Sequence, residues 1–599
     1  MSFEATVLPG YQARLAETQA GLTQLRVGQM LAFVIMCAAI VAILLLGFLS
    51  LTQRSVQLPY VLLPLPVLVY SGRELRRRKS AILKSVRLER FYERGIARLE
   101  GWWAGTGASG EEFKRTNHTY EQDLHLFGEG SLFELLCTCR TEIGRRFLAN
   151  YLLDAPVLGD VKERQAAVQE LRNRTDLRER ISLLGEFDFE ESKWETFVEW
   201  LESPRVSVHA ALRVAAFATS VVLGFLLLLG FASVFPWTHL VLWIGLLLTA
   251  HAVVGVCYRN RVLGSLRSLR SVGLEIGVLG QGLILLQSER LQSPRLQRIA
   301  GSVTQDNAPV AIRKLERLIH ALNERDKEWY YALSRALLVG TQLFLSLETW
   351  KAQHGASLAR WLSAWGEFET LMALAGYAYE HPENTPPHFL EDKAAYEGLG
   401  LAHPLLPENA CIRNDVNLNG QTRFYVVSGS NMAGKSTLIR TIGLNAVLAY
   451  AGAPVCATSL RLSLFSICAS LAVVDSLQNG KSKFLAEMDR LRQALEASLK
   501  AQPVLFLIDE ILSGTNSRDR RVAAEAIVRT LVERGAVGIL STHDLALAEL
   551  ASLEELGGAN VHMGARDNSD PMNFDYLIKP GITTESNALA IARLAGVPV

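Results

Sequence analysis

One short run constrains what this chain can fold into more than any other feature. Residues 429–437 read Gly-Ser-Asn-Met-Ala-Gly-Lys-Ser-Thr and fit the pattern G-x-x-x-x-G-K-[ST]. An apolar strand-like run, Phe424–Ser428, precedes them, and a helix-like run begins at Leu438. In this order the glycines let backbone N–H groups close around phosphate oxygens, and the helix N-terminus adds a positive dipole end. The sequence therefore predicts a nucleotide-binding loop.

Every residue of this loop is a candidate nucleotide contact. Lys435 is expected to reach the β- and γ-phosphates, and the Ser436 hydroxyl is expected to help hold Mg²⁺. The candidate contacts are Gly429, Ser430, Asn431, Met432, Ala433, Gly434, Lys435, Ser436 and Thr437.

A second part of the site is predicted where two apolar strands end. Leu505-Phe-Leu-Ile-Asp509 is followed directly by Glu510. Asp509 is expected near Mg²⁺, and Glu510 is expected to polarise the attacking water as general base. The next apolar strand, 537–542, ends at His543, a position that suits a γ-phosphate switch residue. Lys435, Glu510 and His543 are therefore the candidate catalytic residues.

Several long apolar runs predict membrane spans and account for a hydrophobic content of 49 %. Residues 28–51 carry no charge and are long enough to cross a hydrocarbon core of about 30 Å. Residues 58–72 contain three prolines and predict a distorted return span or a re-entrant arm. The runs 214–235 and 239–256 are separated only by Pro236-Trp-Thr238 and predict a tight helical hairpin. A buried core helix is the alternative for each run.

Basic residues predict the orientation of these spans. Basic residues that flank a membrane span favour the cytoplasmic side. The ends of the second and fourth spans are therefore expected in the cytoplasm, so each pair of spans enters the membrane and returns. We therefore expect a multi-pass protein of a plasma or bacterial inner membrane, with its soluble mass in the cytoplasm. The basic residues are Arg73, Arg76, Arg77, Arg78, Lys79 and Lys84 after the second span, and Arg259, Arg261, Arg267 and Arg270 after the fourth.

Charge and cysteine content add little to the functional assignment. The net charge is +1, so no global basic field indicates nucleic acid or anionic lipid as a partner. The seven cysteines are scattered without the paired spacing of a zinc site, which favours reduced, buried thiols.

The motifs taken together resemble those of the MutS family. The Asn431-Met432 pair in the loop is unusual among phosphate loops and is typical of MutS. The run Gly480-x-Ser-x-Phe-x-x-Glu-Met488 is similar to the family's counterpart of the ABC signature. The likeness spans residues 120–210 and 262–599. Other matches lie before the phosphate loop, at the ends of the predicted strands and near the start of the lever domain. They are His403-Pro404, Asn414-Asp415, Leu507-Ile-Asp-Glu510, Ser541-Thr-His543, Asn573-Phe-Asp-Tyr, Ala590–Pro598 and Arg140-Thr-x-x-Gly144.

This resemblance implies an ATPase that works as a homodimer with Mg²⁺. Two ATP molecules would be sandwiched between subunits, with Ser482 acting in trans on the γ-phosphate bound by its partner. It also implies a DNA clamp that opens and closes with ATP state. The chain departs from the family in three places: Ala433 replaces a loop glycine, Lys483 stands where threonine is usual, and membrane segments stand in place of the mismatch-reading and connector domains. Mismatch reading is therefore not expected.

The predicted fold is multi-domain: membrane helical hairpins, an α-helical lever domain and a C-terminal α/β P-loop ATPase domain of the ABC type. The predicted parts are an N-terminal cytosolic helix (1–27), a first hairpin (28–72), a basic helix and linker (73–119), a first lever part (120–211), a second hairpin (212–258), a second lever part (259–395) and the ATPase domain (396–599).

Two other functions are compatible with these features. One is a membrane scaffold whose ATP switch regulates a protein partner without DNA, because neutral net charge leaves no electrostatic footprint for phosphate contacts. The other is half of an ABC transporter. Against the transporter, the signature is not Leu-Ser-Gly-Gly-Gln, and none of the spans carries a charged residue to mark a substrate path.

Overall fold

A helical N-terminal region precedes a C-terminal α/β domain, as the sequence predicts. The computed structural model describes residues 4–52, 58–185, 199–204, 210–270, 273–324, 334, 337–391, 393–430, 432–471, 483–512, 517–543, 554–567 and 570–582. Of the predicted features, Asn431, Ser482 and the tail 590–598 lie outside these residues.

Two long helices form an antiparallel pair at the N-terminal end. Helix α1 (Glu4–Thr52) runs without a break across the predicted boundary at residue 27. Helix α2 (Leu65–Glu100) returns alongside it and ends where Gly101 adopts φ +84° and donates its N–H to the Ala97 carbonyl at 3.0 Å. Tyr11 of α1 packs edge-on against Tyr92 of α2, with ring centroids 5.5 Å apart. The first apolar hairpin therefore continues as a two-helix stalk.

The outer half of this pair is apolar and exposed. Most large side chains of α1 between Val27 and Leu51 are exposed, as are most of those from Tyr60 to Tyr70. Within the described part of the chain, α1 is the one helix long and apolar enough to cross a membrane by length and composition, and only 11 % of its most apolar window is buried. The structure thus contains one long, mostly exposed apolar helix near the N-terminus.

The helical region that the sequence predicts to be a lever, called the lever region below, lies on both sides of a second hairpin. In the described residues 132–182, before the hairpin, lie α3 (Leu132–Leu136), α4 (Glu142–Leu153), α5 (Leu158–Leu171) and α6 (Thr175–Ser182). The hairpin is α7 (Ala210–Phe231) and α8 (Trp237–Arg270). After it lie α9 (Gly273–Ser288), α10 (Pro294–Thr304), α11 (Ala308–Glu324) and α12 (Val339–Glu380).

Helix α12 joins the two parts of the lever region into one core. It packs against α4 and α5 on one side and against α10 and α11 on the other. Its side chains Trp350, Trp361 and Trp365 are fully buried. Its Glu369 carboxylate accepts hydrogen bonds at the start of α4, from the backbone N–H of Arg140 at 3.1 Å and of Thr141 at 3.3 Å. Segments separated by the second hairpin therefore fold together.

Burial distinguishes the second hairpin from the other apolar helix nearby. Shorter apolar stretches lie at Phe217–Phe231, Trp237–Val253 and Ile276–Ser288. The last is packed in the lever core, whereas the first two expose large side chains such as Phe225 and Leu242. The predicted turn is present, and Trp237 packs edge-on against Phe231 with 5.3 Å between ring centroids.

In the part of the chain that the structure describes, the α/β domain contains a six-stranded sheet, a four-stranded sheet and a small hairpin. Its strands and helices are β1 (His388–Phe389), β2 (Tyr396–Leu401), β3 (Asn414–Leu418), β4 (Phe424–Ser428), α13 (Lys435–Ala451), β5 (Ser459–Leu462), β6 (Ser466–Ser470), α14 (Lys483–Ala497), β7 (Val504–Ile508), α15 (Ser517–Glu533), β8 (Val537–Thr542), β9 (Gly558–His562), β10 (Ala565–Asp567), β11 (Asp570–Phe574) and β12 (Lys579–Pro580).

The large sheet sets the geometry of the site. Its order is β12-β9-β4-β8-β7-β6, and all neighbours except the β12–β9 pair are parallel. Every residue of β7 and β8 is buried, as expected of strands covered on both faces. The small sheet has the order β1-β5-β2-β3. Because β1 already pairs with β5, the domain begins before the predicted boundary at residue 396.

Candidate nucleotide-binding site

The predicted phosphate loop connects the central strand β4 to helix α13. At its start, Gly429 adopts φ +148°, and a side chain there would collide with the Met563 carbonyl. At its end, Gly434 adopts φ +96° and forms the N-cap of α13. Only glycine takes such backbone angles without strain. Met432 also has a positive φ, +70°, and its side chain is exposed.

Lys435 lies in the middle of the loop. Its side chain is buried, and Nζ donates hydrogen bonds to the carbonyls of Gly429 at 2.7 Å and Ser430 at 2.9 Å. Burial lowers the pKa of Lys435, and the nearby carboxylates of Asp509 and Glu510 oppose that shift. The hydroxyl of Ser430 is buried and has no hydrogen-bond partner among the described residues. The Lys435 ammonium group and the Ser430 hydroxyl both lie inside a loop that begins and ends with glycine. They are suited to contact phosphate oxygens.

The two candidate magnesium ligands are in direct contact. Ser436 opens α13, and its hydroxyl donates to one carboxylate oxygen of Asp509 at the end of β7. The other Asp509 oxygen accepts from the hydroxyl of Ser541 in β8. Ser541 also accepts the backbone N–H of Glu510 at 3.0 Å. A hydroxyl and a carboxylate so placed are the hard oxygen donors that Mg²⁺ takes beside a phosphate.

Glu510 and His543 lie together at the ends of neighbouring strands. Glu510 has φ +50°, a conformation that is rare for a residue with a side chain and that is found at functional sites. Its Oε1 lies 3.6 Å from Nδ1 of His543, which follows β8. Both side chains are accessible to solvent. Since β8 lies between β4 and β7, the phosphate loop, Asp509, Glu510 and His543 meet at one edge of the sheet.

The helix of the predicted signature segment is tied to the same edge. Helix α14 begins at Lys483, and its buried Glu487 accepts the backbone N–H of Leu512, two residues after Glu510. Ser482 and Asn431 lie outside the described residues. The structure therefore gathers the loop residues 429, 430 and 432–437 with Asp509, Glu510 and His543.

Sequence reasoning missed two residues of this site. Ser541 belongs to the Ser-Thr-His run, but only the pairing of β7 with β8 brings its hydroxyl to Asp509. The ring of Tyr576 lies over the loop, 3.0 Å from the position that a Cβ on Gly434 would take. The Asn414 side chain holds this segment, donating to the Tyr576 carbonyl at 2.9 Å and accepting from the Ile578 N–H at 2.7 Å. Asn414 belongs to one of the sequence motifs, but the sequence does not predict its contact with residues 576–578.

Comparisons with known proteins agree with this geometry. The family model of MutS domain V matches residues 425–599. The DNA mismatch repair protein MutS of Lactobacillus johnsonii is 33 % identical over 241 residues. That region covers 39 % of this chain and 28 % of the relative, so most of the relative's length has no counterpart in the match. Residues 425–599 therefore form a domain of the MutS domain V family.

Proposed function

We propose that this protein binds ATP with Mg²⁺ and hydrolyses it to drive a conformational switch at the membrane. The observation that carries the proposal is the contact of Ser436 with Asp509 beneath the phosphate loop, with Glu510 and His543 beside it. The MutS domain V match supports an ATPase of this family.

In the proposed reaction, water attacks the γ-phosphorus and the bond to the β–γ bridging oxygen breaks, which gives ADP and phosphate. Glu510 accepts the proton from the attacking water. Lys435 leaves the two loop carbonyls and contacts the β- and γ-phosphate oxygens. His543 donates to the γ-phosphate and senses its loss. Ser436 and Asp509 would hold Mg²⁺, which would supply positive charge to the phosphate oxygens.

We propose that two copies of the chain complete the site. In the MutS resemblance, the signature segment of one subunit covers the nucleotide of the other, and Ser482 contacts its γ-phosphate. The contact between Glu487 and Leu512 supports a path from that segment to Glu510 within each subunit.

The two apolar hairpins are the proposed membrane anchors. The exposure of α1 and of α7 and α8 supports this, because a soluble surface rarely leaves so many large apolar side chains uncovered. In this arrangement the stalk, lever and ATPase domain lie in the cytoplasm, and the protein is multi-pass. The short apolar part of α2 gives the return arm of the first hairpin.

DNA is the proposed partner of the lever region, by analogy with the relative named a DNA mismatch repair protein. Mismatch reading is not part of the proposal. A scaffold that switches a protein partner is the second candidate, because the net charge of +1 gives no footprint for DNA. An ABC transporter half remains the third and is disfavoured by the MutS match.

ATP hydrolysis by the purified full chain in detergent tests both parts of the proposal. The wild type should hydrolyse ATP, and Lys435→Ala should abolish binding and turnover. Duplex DNA should stimulate hydrolysis at low salt, and the stimulation should fall steeply as salt rises. Hydrolysis without any DNA effect would support the scaffold, whereas unchanged ATP binding in Lys435→Ala would refute the site itself.

A further inference from the structure

Two cysteines lie between α3 and α4, at the base of the lever region. Cys137 caps the C-terminus of α3, and Cys139 stands two residues before Thr141, the N-cap of α4. Both side chains are partly buried and line a cavity of about 430 Å³ between this segment and α2. The sequence predicts buried thiols, whereas these two side chains form part of a cavity wall.

The two side chains converge on each other. The Cys139 thiol donates a hydrogen bond to the Cys137 sulfur, and the Cys139 backbone N–H donates to the same sulfur. Two residues of chain span at most about 7 Å, close to the upper end, about 6.8 Å, of the Cα separation found in disulfides. A disulfide between Cys137 and Cys139 therefore requires only a local rearrangement of this segment.

The surroundings give the two thiols different acidities. Hydrogen bonds from Cys139 and the positive charge of Arg145 lower the pKa of Cys137, against burial and the nearby carboxylate of Glu369. The same contact with Cys137, together with burial, raises the pKa of Cys139. Cys137 is therefore the thiol that ionises first, and the thiolate is the nucleophilic form of cysteine.

We infer that Cys137 and Cys139 form a thiol–disulfide exchange site that reacts with a low-molecular-weight disulfide of the glutathione type. The cavity beside the pair lies within the size range of small-molecule sites, so a compact disulfide can enter it.

The exchange takes place in two steps. The Cys137 thiolate attacks one sulfur of the disulfide, whose sulfur–sulfur bond breaks, and one thiolate leaves and takes a proton from water. Cys137 is then held in a mixed disulfide. Cys139 gives its proton to water and attacks the Cys137 sulfur, which releases the second thiol. Overall the two cysteines lose two electrons and two protons, and the small disulfide gains them as two thiols.

The new bond would form next to a contact that joins the two parts of the lever region. Glu369 of α12 accepts the backbone N–H groups of Arg140 and Thr141, directly after Cys139. An excess of reduced thiol reverses the exchange. The pair thus responds to the thiol–disulfide balance around the protein, and its chemistry does not involve the nucleotide site.

Peptide mass spectrometry after exposure to oxidised glutathione tests the site. The full chain in detergent is reduced, freed of reductant, mixed with oxidised glutathione at pH 7 and quenched with iodoacetamide at intervals. Trypsin releases residues 116–140, which contain Cys137 and Cys139 and no other cysteine. This peptide should lose two hydrogens and take up no iodoacetamide, and reduction should restore both thiols. Two free thiols at the end of the reaction would refute the site. So would an equal rate of glutathione attachment at Cys411, a partly buried cysteine that marks general oxidation.

Single serine variants separate the roles of the two thiols. Cys139→Ser should accumulate glutathione on Cys137, because the second thiol is missing. Cys137→Ser should take up glutathione at Cys139 at least about ten-fold more slowly, because burial still disfavours that thiolate and a pKa change of one alters the thiolate fraction ten-fold. Thermal unfolding curves like that of the wild type show that both variants are folded. Equal rates in the two variants would overturn the order of attack.

The neighbouring arginines of α4 provide a matched pair for the activation of Cys137. Arg145 lines the cavity, whereas Arg146 pairs with Glu142 at 3.3 Å and is not among the described residues of the cavity wall. Arg145→Gln should slow alkylation of Cys137 by iodoacetamide about three- to ten-fold, and Arg146→Gln should leave the rate unchanged. Equal slowing in both variants would show a general effect of charge and would overturn the activation of Cys137 by Arg145.

Discussion

Ser541 donates its hydroxyl to Asp509, so the strand that leads to His543 also holds the predicted magnesium carboxylate. The same hydroxyl accepts the Glu510 N–H, which fixes the backbone of the predicted general base. One strand residue thus orients both neighbouring acidic residues of the site.

Replacing Ser541 by alanine should therefore weaken Mg²⁺ use more than ATP binding. Loss of one hydrogen bond to a charged group costs about 1.5–3 kcal/mol, which corresponds to at least about ten-fold in the Mg²⁺ concentration for half-maximal turnover. Steady-state hydrolysis across a Mg²⁺ series measures this. Ser541→Thr keeps the hydroxyl and should restore part of the activity, whereas an unchanged Mg²⁺ dependence in Ser541→Ala would refute the role.

Glu510→Gln should bind ATP but turn it over about 10²- to 10⁴-fold more slowly, the range for loss of a general base. The amide keeps the shape of the side chain and removes the proton acceptor. His543→Ala should lower turnover less, because the imidazole lies 3.6 Å from Glu510 and acts beside the base. Single-turnover hydrolysis and filter binding with labelled ATP separate the two quantities. Equal turnover in Glu510→Gln and wild type would exclude Glu510 as the base.

Tyr576→Ala should raise the KM for ATP about three- to ten-fold with little change in kcat. Its ring lies against the loop at Gly434 and is half-exposed, where it can contact the nucleotide base. An aromatic contact is worth about 0.5–1.5 kcal/mol. Tyr576→Phe keeps the ring and serves as the matched control. A loss of kcat at constant KM would show that the ring acts on the loop rather than on the nucleotide.

Sequence patterns predicted those parts of this structure that depend on neighbouring residues. The loop between Phe424 and Lys435, the buried strands β7 and β8, and the turn at Pro236 are each encoded within about ten residues. The contacts of Ser541 with Asp509 and of Tyr576 with Gly434 are not. They join segments that are distant in sequence, and only the strand order of the large sheet and the Asn414 hydrogen bonds bring them together.

The apolar helices, which the sequence predicts to be membrane spans, show a second limit of sequence patterns. Apolar composition alone does not separate the run 276–288 from the second hairpin, because both are apolar helices. Packing against α11 and α12 buries the first, whereas Phe225 and Leu242 of the second hairpin are exposed. The change from polar to apolar residues also predicts a boundary at residue 27, but α1 continues across it.

The buried carboxyl of Glu369 should make the stability of the lever region fall as pH rises. Burial raises the pKa of Glu369 to about 7, against hydrogen bonds from Thr141 and Arg140 that favour its charged form. Because the folded state holds this proton more tightly than the unfolded state, its stabilisation is complete below about pH 4.5. It is lost progressively up to about pH 7, by on the order of 3 kcal/mol.

Glu369→Gln removes this titration and should flatten the dependence of Tm on pH between 5 and 7. The glutamine oxygen can still accept the N–H groups at the start of α4. Thermal unfolding of both proteins in detergent across pH 5–8 makes the comparison. Curves that stay parallel over that range would show that Glu369 does not titrate there.

Asp123→Asn should uncouple the lever region from the ATPase domain. Asp123 is buried, accepts the Leu471 N–H at 2.8 Å at the end of β6 and pairs with Arg490 of α14 at 3.4 Å. Arg490 lies one turn after Glu487, which holds the loop after Glu510. Asparagine keeps the hydrogen bond to Leu471 but loses the ion pair. We therefore expect nearly normal ATP binding, a lower kcat and a smaller response of kcat to DNA or another partner of the lever.

Glu121→Gln changes a neighbouring buried carboxylate that accepts the Arg115 N–H and serves as control. A kcat that falls equally in both variants would indicate a general loss of packing at the lever base instead of this coupling.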